Sequence, residues 1–340
     1  MVNKRALLSF LICRPWAYPL MAGLSGGRCL RILAYHRVLD IHEPSYPFDN
    51  ELISASVHDF DRQMEHVASH WRVMTFSDAG EYEKNGEGLP ERSLIITFDD
   101  GYADNYENAF PILEKYGLKA VFFLSTDYIG TNRPFWFERL VYLVKKGLID
   151  TGSLRLARYA DSAGRDLERE GPFSPADLHS MALRMPNRHR LELLREIEER
   201  TPQIPEEDIA LVRPLTWDQV REMAEHGMEI GSHTQSHLIL GNSSPEEAAR
   251  ELALSRKIIE DRISRKVSAV SYPIASLDFA VNPIVLKLVE FAGYRWGVAY
   301  TSGSVRDLLR ERYMLRRLKI ERYVSFDRFR AKLLFPSIFA

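Results

Sequence analysis

Leu94-Ile95-Ile96-Thr97-Phe98-Asp99-Asp100-Gly101 runs from mostly apolar, partly β-branched residues straight into two adjacent carboxylates and a glycine. The apolar half predicts a strand buried on both faces, as parallel strands are when helices cover the sheet. Folds of that class gather ligands and chemistry at the carboxyl ends of their strands. Like charges at neighbouring positions repel, so the pair calls for a cation beside it, or for one carboxylate held as a base. A plain strand-to-loop turn is the competing reading, because Asp-Gly is good turn chemistry.

Well downstream stands Ile230-Gly231-Ser232-His233-Thr234-Gln235-Ser236-His237. Two histidines four apart fall on one face of a helical turn and can aim their imidazoles at a single ion. They follow Met228-Glu229-Ile230-Gly231, which reads as another short strand whose carboxyl end would lie beside Asp99 and Asp100 in a barrel. One aspartate and two histidines supply three ligands and leave a position open for water, the arrangement of a catalytic divalent site rather than a structural one.

With both motifs in view, the chain resembles the polysaccharide deacetylases of carbohydrate esterase family 4. The likeness rests on Thr97-Phe98-Asp99-Asp100-Gly101-Tyr102 with Asp104-Asn105, on His233-Thr234-Gln235-Ser236-His237, and on weaker matches at Tyr35-His36-Arg37-Val38 and Tyr272-Pro273. It runs from about Arg31 to about Ile320, with a divergent middle. The resemblance implies an α/β fold, a distorted (β/α)7-type barrel with a helical insertion. It makes Asp99 the general base and Asp100, His233 and His237 the ligands of one divalent ion. Zinc suits such ligands first, with cobalt, nickel or manganese able to replace it.

Tyr272-Pro273-Ile274 resembles the third family motif, whose backbone N–H groups help hold the oxyanion. The match is imperfect, since this chain continues Ile274-Ala275-Ser276 where family members often have Pro-Tyr-Gly. Trp296 resembles an aromatic that lines the acetyl pocket, although a tryptophan opening a buried strand is also ordinary core. The family's Leu-x-His motif, which normally brings the general acid, is absent. No histidine follows His237, and the corresponding strand reads Leu315-Arg316-Arg317-Leu318. Some family members take this histidine from an early Tyr-His-x-Val segment, and His36 fits that pattern.

A chain of 340 residues can bury a large core, and one barrel-like domain with an insertion fits it better than two independent domains. We divide it into an N-terminal segment, 1–28, and a catalytic domain, 29–340, with an insertion at about 131–214. Forty-five basic against forty-seven acidic residues give no reason to expect a nucleic-acid partner. Cys13 and Cys29 are too few for a disulfide framework and lack the spacing of a zinc site. Lys4-Arg5 followed by Ala6 to Cys13 imitates an export signal, but Arg14-Pro15-Trp16 interrupts it without a clear cleavage site. No run approaches a membrane-spanning length. The expectation is a cytoplasmic protein, with export or peripheral membrane contact as the rival.

In chain order, strands are expected at Cys29–Val38, Val73–Phe76, Leu94–Phe98, Lys119–Thr126, Met228–Gly231, Val267–Tyr272, Trp296–Thr301 and Leu315–Ile320. Helices are expected at Val57–His70, Asn105–Tyr116, Arg188–Arg200, Trp217–His226 and from Ser244 to about Arg262, with a solvated connection over Gly80–Glu91. Phe326, Phe329, Leu333 and Leu334 would give a last helix its apolar face. Phe135 and Trp136 are candidates for stacking on sugar rings. The expected activity is metal-dependent hydrolysis of the N-acetyl amide of N-acetylhexosamine units in an N-acetylated glycan or glycolipid. The alternatives are deacylation of another small or lipid-linked amide, and a catalytically silent carbohydrate-binding protein.

Overall fold

The computed structural model describes residues 4–14, 16–17, 20–21, 29–149, 175–274 and 279–339. Seven parallel strands close a barrel: β1 (Arg31–Tyr35), β5 (Ser93–Phe98), β6 (Val121–Leu124), β7 (Glu229–Ser232), β8 (Ala269–Ser271), β9 (Trp296–Ser302) and β10 (Leu315–Lys319). Closure comes from β1, which pairs with β10 on one edge and along the length of β5 on the other, from Arg31↔Leu94 to Tyr35↔Phe98. The short β4 (Arg72–Val73) takes the lower part of the remaining β5 edge, and β6 takes the upper part at Thr97↔Val121 and Phe98↔Phe122. This is the distorted (β/α)7 barrel that the sequence led us to expect.

Alternation along each strand sorts side chains into two apolar layers. Leu33, Ile96, Phe122, Ile230 and Leu318 pack with helix residues such as Phe60, Met64 and Leu252, whereas Ile32, Ile95, Phe123, Trp296 and Val298 form a separate cluster enclosed by the strands. Continued towards the carboxyl ends, the enclosed register turns polar. Ile32 and Ala34 lead to His36, Ile95 and Thr97 lead to Asp99, and Leu315 leads through Arg317 to Lys319. The barrel is dry below and charged at its mouth.

Three expected elements differ. The first strand breaks at His36, after which β2 (Arg37–Val38) pairs with β3 (Ile53–Ala55) in a separate two-stranded sheet. The strand expected through Phe76 ends at Val73, because Thr75 caps a helix, Phe76–Lys84. Thr75 Oγ1 accepts from the Asp78 N–H at 3.2 Å while the Asp78 carboxylate accepts from the Thr75 N–H at 2.9 Å, a reciprocal capping box that outweighs the apolar run. The same helix replaces the first part of the solvated connection expected from Gly80. The other helices follow their local signals. Ser244 Oγ accepts from the Glu247 N–H at 3.2 Å ahead of Pro245, and Pro245–Ile263 is the longest helix among the described residues.

Between β6 and the helix Trp217–Glu225 that leads into β7 lie the helices Trp136–Lys145, Pro175–Arg184, Asn187–Arg200 and Glu206–Ile209. They share an apolar cluster in which Leu140, Leu178, Met181, Leu193 and Ile197 meet Tyr46, Phe48 and Tyr102 of the barrel-mouth loops. Pro186, Pro202, Pro205 and Pro214 punctuate this stretch, keeping its helices short. At the far end Phe329, Leu333 and Leu334 are buried on Phe326–Leu334, against which Lys4–Ile12 packs. Among the described residues no helix is long and apolar enough to cross a membrane.

Candidate active site

A cavity of about 380 Å³ opens at the barrel mouth, and His36, Asp99, Asp100, His233 and His237 all line it. Each arrives at a strand end. Asp99 directly follows β5, His233 follows β7, and His36 occupies the break between β1 and β2. That break is clamped from several sides. The His36 N–H donates to Ser54 Oγ at 2.9 Å, Asn105 Nδ2 donates to the His36 carbonyl at 2.8 Å, and Arg37 Nε donates to Asp104 at 2.9 Å. Asp104 and Asn105, next to the aspartate pair in sequence, thereby fix the backbone that carries His36.

The two aspartates have separate partners. Arg317 grips Asp99 with both arms of its guanidinium, Nη1 to Oδ1 at 2.8 Å and Nη2 to Oδ2 at 2.7 Å, and Ser271 Oγ donates to Oδ2 at 3.2 Å. Burial works against ionisation of Asp99, yet the Arg317 charge holds its carboxyl below the ordinary range. Asp100 instead faces two imidazoles, with Oδ1 3.4 Å from His233 Nε2 and 3.3 Å from His237 Nε2. Burial opposes its ionisation too, and the two histidines more than offset it. Burial is also the largest influence on both rings. Asp99 and Asp100 overcome it at His233, whose pKa is raised, but it prevails at His237.

Asp100, His233 and His237 fit a metal ion. One ligand atom from each lies within 4.8 Å of the others, and all three residues are buried. His233 Nδ1 lies 2.8 Å from the Ser271 carbonyl, which can only accept, so Nδ1 carries a proton, and in the neutral ring that binds metal Nε2 is left free to face the ion beside Asp100. Asp100 Oδ1 is itself buried without a hydrogen-bond partner. A buried carboxylate oxygen facing two imidazole nitrogens suits a cation that joins all three.

The histidine spacing works differently from the helical turn expected of it. Residues 233–239 form an irregular loop, and Thr234 and His237 reach left-handed φ values of 65° and 57°. Asp100 at 73° and Ile274 at 57° share that conformation, so four of the six such non-glycine residues described stand in the site. Strain of this kind costs of order 1–3 kcal/mol per residue and persists where surrounding structure enforces it. Glu251 helps by accepting from the Gln235 and Ser236 N–H groups at 2.8 and 2.9 Å. Gly101, with φ of 90°, holds a conformation strained for any other residue, and a Cβ there would come within 2.9 Å of the side-chain ends of both Leu124 and Ile129.

Tyr272 and Ile274 line the cavity, but the Tyr272 N–H is taken by the Val298 carbonyl at 3.1 Å in the sheet. With Pro273 lacking an N–H, the donor reading narrows to Ile274; residues 275–278 lie outside the described part. Trp296 is a correction: it is 1% exposed at the amino end of β9, stacks near Phe76 and belongs to the barrel interior, away from the mouth. The β9 aromatic that reaches the cavity is Tyr300, two inward positions further up, where it meets His36 at 5.2 Å between ring centres. Phe135 is fully buried between Tyr102, Tyr128 and Phe137, so it offers no face to a sugar. Phe137 instead lines the cavity and packs on His237 at 4.8 Å. Arg317 also escaped the sequence reading, although an arginine at an inward position between Leu315 and Lys319 was a signal of a buried charge awaiting a partner.

A family model described as polysaccharide deacetylase matches residues 86–297, which include both motifs. YxkH of Bacillus subtilis (strain 168) is 26% identical over 242 residues, covering 71% of this chain and 56% of YxkH. A poly-beta-1,6-N-acetyl-D-glucosamine N-deacetylase of Staphylococcus epidermidis is 35% identical over 125 residues, 34% of this chain and 42% of that protein. The chain thus spans about half the length of these relatives. Among solved structures, the Streptococcus pyogenes deacetylase PplD, determined in complex with acetate, superposes with a TM-score of 0.58 at 19% identity, covering 91% of this chain and 97% of PplD. IcaB of Ammonifex degensii gives 0.54 at 17%, covering 91% and 98%. These structures share the fold, and the sequence match extends over more than half of the residues: the chain belongs to the polysaccharide deacetylase family.

Proposed function

We propose that the protein is a metal-dependent hydrolase that removes the acetyl group from N-acetylhexosamine units of an envelope or extracellular polysaccharide. The observation that carries this reading is the division of labour between adjacent carboxylates, Asp99 held by Arg317 and Asp100 facing the two histidines. A silent binder needs no such division. A divalent ion held by Asp100, His233 and His237, with zinc the first choice, would supply Lewis-acid polarisation of the amide carbonyl and acidify a water.

The remaining work falls to the chain itself. Asp99, kept ionised and oriented by the Arg317 fork, takes a proton from the attacking water. The Ile274 N–H is the backbone donor available for the oxyanion. Phe137 and Leu183 give the cavity an apolar wall suited to an acetyl methyl group. His36, on the cavity wall, protonates the departing amine. Burial lowers its pKa, and the Asp100 and Asp99 charges, which favour the protonated ring, offset part of that shift. Similarity to the poly-beta-1,6-N-acetyl-D-glucosamine N-deacetylase of Staphylococcus epidermidis supports the substrate class.

The test is acetate release from β-1,6-linked N-acetylglucosamine oligomers and from chitooligosaccharides, with added divalent metal and after chelation. We expect metal-dependent release from at least one of them. A metal-loaded protein that releases no acetate from any N-acetylhexosamine substrate would overturn the reading.

A further inference from the structure

A second cavity, of about 540 Å³, lies among the helices between β6 and β7. Trp136 lines it, while the next residue, Phe137, lines the cavity at the barrel mouth. Arg133, Arg139, Arg190 and Arg195 all reach its wall. Of the two carboxylates there, Asp127 accepts from Gln235 Nε2 at 2.8 Å, and Glu198 stands exposed. The lining is therefore rich in cations.

Arg190 is the decisive residue. It is 2% exposed, its guanidinium lies 5.2 Å from the Trp136 ring centre, and its Nη2 donates to Asn187 Oδ1. Its Nη1 is buried with no partner, and among the described residues no carboxylate comes within ion-pair distance of it. Arg139 Nε and Trp136 Nε1 are likewise buried without acceptors. Glu247 and Glu251 act on Arg190 only from beyond ion-pair distance; a buried guanidinium with no direct ion pair is costly, and buried donors without acceptors are rare in a folded chain. Three buried donors that lack acceptors belong to three residues lining one cavity, where side-chain adjustment on binding would bring them to an anion with several oxygens. A carboxylate offers two oxygens, whereas a phosphate offers at least three, in directions that arginine forks match.

We propose that this cavity binds a phosphate group, held by Arg190, Arg139 and Trp136, with Arg133 and Arg195 at the rim. Its volume exceeds that of a bare phosphate, so a phosphate carried on a sugar or on a glycolipid head fits better than the free ion. The site does not depend on the deacetylase reading.

Calorimetry on the full chain with pyrophosphate, inorganic phosphate and N-acetylglucosamine 1-phosphate tests this, with uncharged N-acetylglucosamine as control. We expect saturable binding of one phosphate compound per chain, lowered about tenfold or more in Arg190→Gln, which is about 1.4 kcal/mol. Because Arg190 is buried, the exposed pair Arg133→Ala, Arg195→Ala provides a second variant, expected to weaken binding without unfolding the chain. Tighter binding of the sugar phosphate than of inorganic phosphate would identify an esterified ligand, and equal binding a free anion. Anions also bind metal centres, so an Asp100→Asn, His233→Ala variant must retain the affinity. Loss of binding in that variant with retention in Arg190→Gln would overturn the proposal, as would absence of saturable binding by every phosphate compound.

Discussion

Replacing Arg317 with methionine would strand the Asp99 carboxylate in the barrel. Arg317 has no measurable exposure and Asp99 only 2%. Beyond its two bonds to Asp99, the guanidinium donates to the Ala299 carbonyl at 3.0 Å, Thr97 Oγ1 at 3.2 Å and Ser271 Oγ at 3.1 Å. Removing one member of a buried ion pair costs about 3–5 kcal/mol, chiefly because the other charge is left uncompensated. Converting that charge to an amide leaves only unsatisfied polar groups, at about 1–3 kcal/mol. Arg317→Met should therefore be strongly destabilised, and adding Asp99→Asn should recover about 2 kcal/mol of the loss. Urea unfolding of the single and double variants at pH 7 measures this. The catalytic consequence has a definite sign as well. Arg317 is the largest influence holding Asp99 below its ordinary value of 3.8, so its removal leaves burial opposed only by His233 and His36 and moves the acidic limb of the pH–rate profile upward. Additive destabilisation within about 0.5 kcal/mol, together with an unmoved acidic limb, would refute the assignment of Arg317 as the group that keeps Asp99 ionised.

The protein should bind one divalent ion per chain; Asp100→Asn should weaken that binding, Asp99→Asn should leave it nearly intact, and metal retained by a His233→Ala, His237→Ala double variant would rule out the ligand set. His36→Ala should lose roughly 100-fold to 10,000-fold in amide turnover and much less on an activated acetate ester, whose leaving group needs little protonation. Equal losses on both substrates would count against the acid role. Glu138 accepts from Tyr102 Oη and the Asp49 N–H, both at 3.0 Å, and burial pushes its carboxyl up from 4.5 to about 7. Its raised value means a contribution to stability that is complete below pH 4.5 and lost as pH rises to about 7, at most about 3 kcal/mol. Glu138→Gln should accordingly gain stability relative to the parent across that window, and a thermal-shift difference that stays constant from pH 4.5 to 7 would contradict this.

Residues adjacent in the chain announced much of this molecule. The apolar run into Asp99-Asp100-Gly101 is a buried parallel strand delivering carboxylates to a barrel mouth, and Ser244-Pro245 opens its helix as local capping chemistry requires. Thr75-x-x-Asp78 was equally legible as a helix start, and the apolar residues around it concealed the signal. Other features depended on contacts that no local pattern contains. Arg317 meets Asp99 across 218 positions, because closure of β1 between β5 and β10 fixes which inward-facing residues share a level. Position along β9, not residue type, sends Trp296 into the apolar interior and Tyr300 to the cavity. The histidines converge through a loop with left-handed residues anchored by Glu251, where spacing alone suggested a helix. Sequence thus determined which chemistry stands at which strand end, since propensity, capping and side-chain type act between near neighbours. Only the tertiary structure decided which groups become partners, because register and barrel closure bring distant residues within the few ångströms over which hydrogen bonds and buried charges act.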